Sequence, residues 1–118
     1  MKTPTHKPSG AKIRAIIKRP DEKYGHVTNI SPTLRNLQNT VGGYIETVPI
    51  TRNAVCIVNE EGKIWNLPKN FILGTPPFHD VIVGTAIIVG TDDEDENFVD
   101  CPLDFKTWKE ALIKWGNT

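Results

Sequence analysis

Residues 31–62 carry the pattern that most limits what this chain can fold into, because a helix signal is followed at once by two strand signals. Ser31 is typical of a helix N-cap, and Pro32 suits the first helical position, where no N–H is needed. The apolar residues that follow share one helical face through spacings of three and four: Leu34, Leu37 and Val41. The glycine pair at 42–43 favours a left-handed helix end. We predict a helix over residues 32–42 that folds back onto its own strands.

Apolar and β-branched runs on either side of this helix predict a sheet. Two strands before the helix, at residues 12–19 and 24–30, are expected to form a hairpin. After the helix, residues 44–50 and 54–58 are rich in strand formers, and Pro49 restricts the former to a sheet edge or a bulge. The sheet is therefore expected to hold the central helix on one face.

The middle of the chain gives a mixed pattern. We predict, in order, a tight turn with Gly62 at positive φ, a strand over residues 63–67, a short helical turn or irregular crossing over 67–74, and a loop over 75–80. Residues 81–89 are the most apolar run and predict one central strand with a bulge or a close backbone approach at Gly84.

The last segment predicts an amphipathic helix over residues 104–115. Asp104 suits its N-cap, and the large apolar residues recur at spacings of three and four: Phe105, Trp108, Leu112 and Trp115. The fold class predicted is α+β: one domain over residues 11–118 with a mostly antiparallel or mixed sheet of five to six strands. The central helix and the C-terminal helix pack on it, and a flexible basic tail over residues 1–10 precedes it.

Composition narrows the classes of partner. The chain of 118 residues has 14 Lys and Arg against 14 Asp and Glu, whereas a dedicated nucleic-acid binder carries a basic excess. The two cysteines are too few for a disulfide framework or a Cys-rich zinc site. No run reaches the length of a membrane helix, and the first residues lack an apolar signal core. We expect a cytosolic protein without membrane, metal or cofactor.

Side chains suited to catalysis are scarce. The histidines His6, His26 and His79 are spread over the predicted tail, edge strand and loop, without metal-ligand spacing. No serine stands in a nucleophile elbow, and no glycine-rich phosphate loop opens a helix. We expect a non-enzymatic protein with no catalytic residues. A carboxylate pair such as Glu46 with Glu60 keeps a third hypothesis open, a small nucleotide-hydrolysing enzyme.

Four residues at the ends of neighbouring predicted strands form the candidate ligand site: Asn59, Glu60, Trp65 and Asn70. An indole can stack on a nucleobase, and amide and carboxylate groups can pair with its polar edges or with a ribose. The alternative is structural, with Asn59 serving a turn and Trp65 lying in the core.

An acidic run forms the candidate partner-binding surface: Asp92, Asp93, Glu94, Asp95 and Glu96. Five neighbouring like charges repel one another and favour an exposed loop. Such a loop can imitate a phosphate backbone toward a partner, or it can be an ordinary solvated loop.

An ordered series of short motifs resembles a family of small domains of unknown function: Val41-Gly42-Gly43-Tyr44-Ile45-Glu46, Asn59-Glu60-Glu61-Gly62 and Leu67-Pro68-x-Asn70. Members of that family occur in bacteriophages and conjugative elements. The resemblance spans residues 12–91 and leaves the basic tail and the final helix as additions. It implies an accessory gene of a phage or mobile element, and it implies no catalytic residues.

The leading hypothesis is a non-enzymatic anti-defence factor that sequesters a nucleotide second messenger or blocks a host defence protein. The alternative is a protein-interaction or DNA-mimic module that acts through the acidic run at 92–96. A homo-oligomer is left open, through the edge strand at 44–50 or the last helix.

Overall fold

The computed structural model describes residues 11–92 and 97–117. Its elements in chain order are β1 (Ile13–Lys18), β2 (His26–Ile30), α1 (Leu34–Val41), β3 (Ile45–Thr51), β4 (Ala54–Asn59), β5 (Lys69–Leu73), β6 (Asp80–Val83), β7 (Ala86–Thr91), β8 (Phe98–Val99) and α2 (Phe105–Lys114). The predicted α+β class with a central and a C-terminal helix is confirmed. The predicted tail at 1–10 lies outside the described residues. Among those described, no helix has the length and apolar content needed to cross a membrane.

Within the described residues, the larger sheet has six strands in the order β2-β1-β7-β4-β3, with β8 paired to β7. The strand pairs are antiparallel, and the first two strands form the predicted hairpin. β5 and β6 form a separate two-stranded sheet. β3 lies at an edge, and its register shifts between Pro49 and Thr51, as the proline predicts.

The larger sheet is buried on both faces. Neighbouring residues of its central strands point to opposite sides and therefore join different apolar clusters. Ile16 pairs with Ile88 and contributes to one apolar cluster, whereas Ile17 pairs with Ile87 and contributes to the other. On the Ile17 side, α1 covers the sheet. On the Ile16 side, α2 and the β5–β6 sheet cover it.

Helix α2 is anchored by a tryptophan, as its apolar stripe predicts. Asp104 caps the helix by accepting a hydrogen bond from the Thr107 N–H at 2.7 Å. Trp108 is fully buried, donates through Nε1 to the Tyr24 carbonyl at 2.8 Å, and meets the Phe71 ring edge-on at 5.5 Å. The helix is therefore fixed by packing and by a satisfied indole N–H.

Helix α1 begins later than predicted, and Ser31 is not its cap. Thr33 is the N-cap, and its hydroxyl accepts from the Asn36 N–H at 3.2 Å. The Ser31 carbonyl instead accepts from the Asn36 side-chain amide at 3.1 Å, which holds the chain before the helix extended. Leu34 is 58% exposed, so Leu37 and Val41 alone form the buried stripe. The predicted left-handed end is confirmed at Gly42, where φ is +84°.

The middle of the chain departs furthest from the prediction. Residues 63–67 form turns rather than a strand, and the predicted crossing at 67–74 contains strand β5. Gly62 lies outside the positive-φ region, and a glycine suits it because an added Cβ would lie 2.9 Å from Val83 Cγ2. The backbone conformation here is set by packing against residues distant in sequence, which local turn signals do not predict.

The apolar run at 81–89 is two strands in two different sheets. β6 ends at Val83, and β7 begins at Ala86 in the larger sheet. Gly84 makes the crossover with a φ of +72°, and an added Cβ would lie 2.8 Å from Leu67 Cδ1. The glycine that predicted a bulge is therefore the point where the chain changes sheets.

Candidate functional site

Four of the seven exposed large apolar side chains among the described residues lie on three segments of the chain: Tyr44, Ile64, Trp65 and Phe78. We call this set the aromatic end. Its exposed fractions run from 67% for Tyr44 to 90% for Phe78. Apolar side chains exposed together mark interaction surfaces more often than ones scattered singly do.

Two polar contacts join the three segments. The Glu60 N–H donates to the Tyr44 carbonyl at 2.8 Å, which ties the start of β3 to the turn after β4. Lys63 Nζ donates to Asp80 Oδ1 at 2.8 Å, which ties that turn to the start of β6, two residues after Phe78. These contacts bring together the segments of the chain that carry the aromatic end.

Successive backbone turns hold Ile64 and Trp65 outside the core. The Trp65 N–H donates to the Glu61 carbonyl at 3.0 Å, and the Leu67 N–H donates to the Gly62 carbonyl at 2.9 Å. Asn66 then adopts a φ of +54°, which its short polar side chain tolerates. These local bonds form the turn without burying its two large side chains.

A shallow groove of about 190 Å³ runs beside the aromatic end. Its polar lining comes from Glu46, Asn59, Glu60, Lys63 and Asp80, and its apolar lining comes from valine and isoleucine side chains. We call it the acidic groove because three carboxylates face one ammonium group. Its walls belong to β3, β4, β6 and the turn at 60–66.

Of the four predicted ligand-site residues, the structure brings Asn59 and Glu60 together in the acidic groove, and Trp65 lies on the adjoining turn. Trp65 is 69% exposed, so the alternative of a core tryptophan is wrong. The Asn59 amide donates to the Val41 carbonyl at 3.3 Å and accepts from the Glu61 N–H at 2.8 Å. Asn59 therefore already has structural partners.

Asn70 lies apart from the other three and joins the two sheets. Its Nδ2 donates to the carbonyls of Lys18 and Gly84, each at 2.7 Å, and its Oδ1 accepts from Lys18 Nζ at 2.7 Å. Lys18 is 3% exposed, and its burial lowers the pKa of the ammonium group despite the nearby carboxylates of Glu22 and Asp21. Asn70 is thus a structural link rather than a groove residue.

The remaining reactive groups have structural surroundings. Burial raises the pKa of the Cys56 thiol and of the Cys101 thiol, which disfavours the nucleophilic thiolate. His26 Nδ1 lies 2.7 Å from a Glu22 carboxylate oxygen at the surface. Across residues 11–92 and 97–117, no group of three or more His, Cys, Asp or Glu side chains is placed to hold a metal ion.

The acidic run is described only at its first residue. Asp92 Oδ2 accepts a hydrogen bond from Asn97 Nδ2 at 3.1 Å. The other members of the predicted partner surface, Asp93, Glu94, Asp95 and Glu96, lie outside the described residues.

A second groove, of about 290 Å³, lies between the start of β1, the end of β2 and α1. We call it the amide groove because of its asparagine lining, which is accompanied by an ammonium and two hydroxyl groups: Asn29, Asn36, Asn39, Lys12, Ser31 and Thr40. Sequence reasoning missed this groove because its residues come from three elements and follow no motif. The sequence signal for it is the three-residue spacing of Asn36 and Asn39, which places both on one face of the predicted helix.

Comparison with protein families gives a match to a domain of unknown function, DUF3846, over residues 13–113. The chain belongs to this family. The DUF3846 match runs from the first residue of β1 almost to the end of α2, so the final helix is part of the domain and the predicted limit at residue 91 is wrong. Comparisons with curated proteins and with solved structures give no match.

Proposed function

We propose that this DUF3846 protein is a non-enzymatic binding protein that docks on a partner protein through the aromatic end and occludes it. The observation that carries the proposal is the grouping of Tyr44, Ile64, Trp65 and Phe78 on three segments joined by polar contacts. Tryptophan and tyrosine are enriched among the residues that dominate binding energy in protein interfaces. These side chains stay exposed when the domain folds. Burying them against a partner removes their apolar surface from water and stabilises the complex.

The biological setting of the proposal comes from the resemblance to a family of phage and mobile-element proteins. An accessory protein of this kind would act in the cytoplasm of the host cell, with a host defence protein as its target. Occlusion needs only a stable surface and no reactive side chains. The burial of both cysteines, which keeps their thiols away from the surface, agrees with such a role.

A photo-crosslinking experiment tests this function. The photoreactive residue p-benzoylphenylalanine replaces Trp65 in one variant and Ile113 in the other, and both variants are expressed in the host cell. Ile113 is a matched control because it is an exposed apolar residue on α2, which contributes nothing to the aromatic end. We expect one defined protein to crosslink from position 65 and not from position 113. The same adducts from both positions, or none from position 65, would contradict the proposal.

A nucleotide signal is the second candidate ligand, and the amide groove is the observation that favours it. Asparagine amides both donate and accept hydrogen bonds along base edges, and the Lys12 ammonium suits a phosphate. Its volume of about 290 Å³ is near the lower end of the range typical of small-molecule sites. Calorimetry with cyclic and linear nucleotides tests this, with Asn39→Ala in the groove expected to reduce any heat of binding and the exposed Asn53→Ala outside it to leave it unchanged.

A further inference from the structure

The acidic groove carries more negative charge than the residues around it neutralise. It is lined by the carboxylates of Glu46, Glu60 and Asp80 and by one ammonium, that of Lys63. Lys63 is already paired with Asp80, at 2.8 Å. Among the described residues, Glu46 and Glu60 form no ion pair, and both are exposed at the rim. The groove therefore presents two uncompensated carboxylates.

The rest of the groove lining is apolar and comes from β3, β4, β6 and the turn at 60–66: Val48, Val58, Ile64, Val81, Ile82 and Val83. Such walls suit the methylene stem of a long basic side chain, whose charged head stays at the polar rim. A metal ion would gain nothing from these hydrocarbon surfaces, because hard cations seek oxygen ligands.

The size of the groove limits the occupant to one side chain. Its volume of about 190 Å³ is well under the roughly 300 Å³ at which small-molecule sites begin, so it suits a single side chain better than a whole nucleotide. The groove adjoins Trp65 and includes Ile64 in its lining. A side chain bound in the acidic groove therefore belongs to the same partner that covers the aromatic end.

We propose that the acidic groove receives an arginine side chain of the partner protein, beside the apolar pocket that takes Trp65. This inference rests on the proposed function, because the arginine is presented by the same partner. The guanidinium group offers five N–H donors in a plane and so can bond carboxylates on both sides of a groove. The partner surface is accordingly an apolar pocket with a basic rim, complementary in charge to the end of this domain.

A nuclear magnetic resonance titration tests the groove without the partner. The probe is N-acetyl-arginine amide, and its neutral counterpart is N-acetyl-citrulline amide. We expect the arginine probe to shift the backbone amides of Glu60, Lys63, Ile64 and Val83 in a saturable way, and the citrulline probe to shift them weakly. Equal responses to the two probes, or no saturable shift, would overturn the arginine assignment.

Charge-neutral variants sharpen the test. Glu46→Gln and Glu60→Gln should each weaken arginine binding by about 1.5- to 5-fold, the range measured for exposed ion pairs. Glu110→Gln is the matched control, since Glu110 is an exposed carboxylate on α2 and should leave binding unchanged. An equal loss in the control would refute a specific site.

The two proposals fail differently. If position 65 crosslinks a partner but the arginine probe does not bind, the acidic groove has been assigned wrongly and the docking surface stands. If position 65 crosslinks nothing, the docking function itself is refuted, whatever the probe does.

Discussion

Replacing Asn70 with alanine tests the link between the two sheets. This half-buried side chain makes hydrogen bonds at 2.7 Å to the Lys18 carbonyl, the Gly84 carbonyl and Lys18 Nζ. Asn70→Ala removes them all. The Lys18 ammonium, which is 3% exposed, would keep a 3.4 Å contact with the carbonyl of residue 70.

The expected cost follows from these bonds. Each neutral hydrogen bond contributes about 1 kcal/mol net, and a bond to a charged group contributes about 2 kcal/mol. Some water will reach the half-buried site, so we expect the free energy of unfolding to fall by about 3 kcal/mol. That is a large share of the total of about 5–15 kcal/mol typical of such a domain.

Urea unfolding followed by tryptophan fluorescence measures this loss. With a slope of about 1–3 kcal/mol per molar urea, the midpoint should fall by about 1–3 M without a change in slope. Asn39→Ala is the matched control, because Asn39 is exposed on α1 and makes no side-chain hydrogen bond with the other described residues. A loss under about 1 kcal/mol for Asn70→Ala, or an equal loss for the control, would refute the reasoning.

Three further substitutions test the buried lysine of this link and the cap of α1. Burial lowers the pKa of Lys18 from its ordinary value of 10.5, so the unfolded chain binds more protons than the folded one at alkaline pH below 10.5. Stability should therefore rise with pH in that window, and urea midpoints at several pH values should show less of this rise in Lys18→Met. Thr33→Ala should lower the free energy of unfolding by about 1 kcal/mol, because it removes the α1 cap. Ser31→Ala should change it by less than about 0.5 kcal/mol, and the reverse order would restore Ser31 as the cap.

The two helices and the outer strands could be predicted because their signals are local. Asp104 and the stripe at Trp108 and Leu112 lie within one helix, and Gly42 ends the other with a conformation that glycine favours. The start of α1 was misplaced because three consecutive residues, Ser31, Pro32 and Thr33, all carry start signals. The Asn36 backbone N–H decides between them, because it donates to the Thr33 hydroxyl and not to that of Ser31.

The middle of the chain could not be predicted because its structure depends on contacts distant in sequence. The alternation at 63–67 matches a strand, yet those residues have no neighbouring strand to pair with in the described structure. The run at 81–89 is apolar throughout because both of its strands are packed, although in different sheets. Periodicity alone gives no information about which sheet a residue joins.

The candidate site could be predicted only in part, because its residues too come together through contacts distant in sequence. Glu60 and Trp65 were grouped because they were expected at the ends of neighbouring strands, and the structure places both on one turn instead. Phe78 was missed because no local signal predicts the Lys63–Asp80 pair, which ties that turn to the start of β6 just after Phe78. Asn70 was misassigned in role, since an asparagine that joins two sheets carries the same sequence signal as one that contacts a ligand.

The aromatic end lies outside both apolar clusters, which contain none of its four side chains. Substitutions there therefore leave the packing of the domain untouched, and evolution can exchange these residues at little cost in stability. If relatives oppose different targets, their sequences should diverge fastest at Tyr44, Ile64, Trp65 and Phe78 while β7 changes slowly. The fold would then stay constant while the recognition surface changes from one relative to the next.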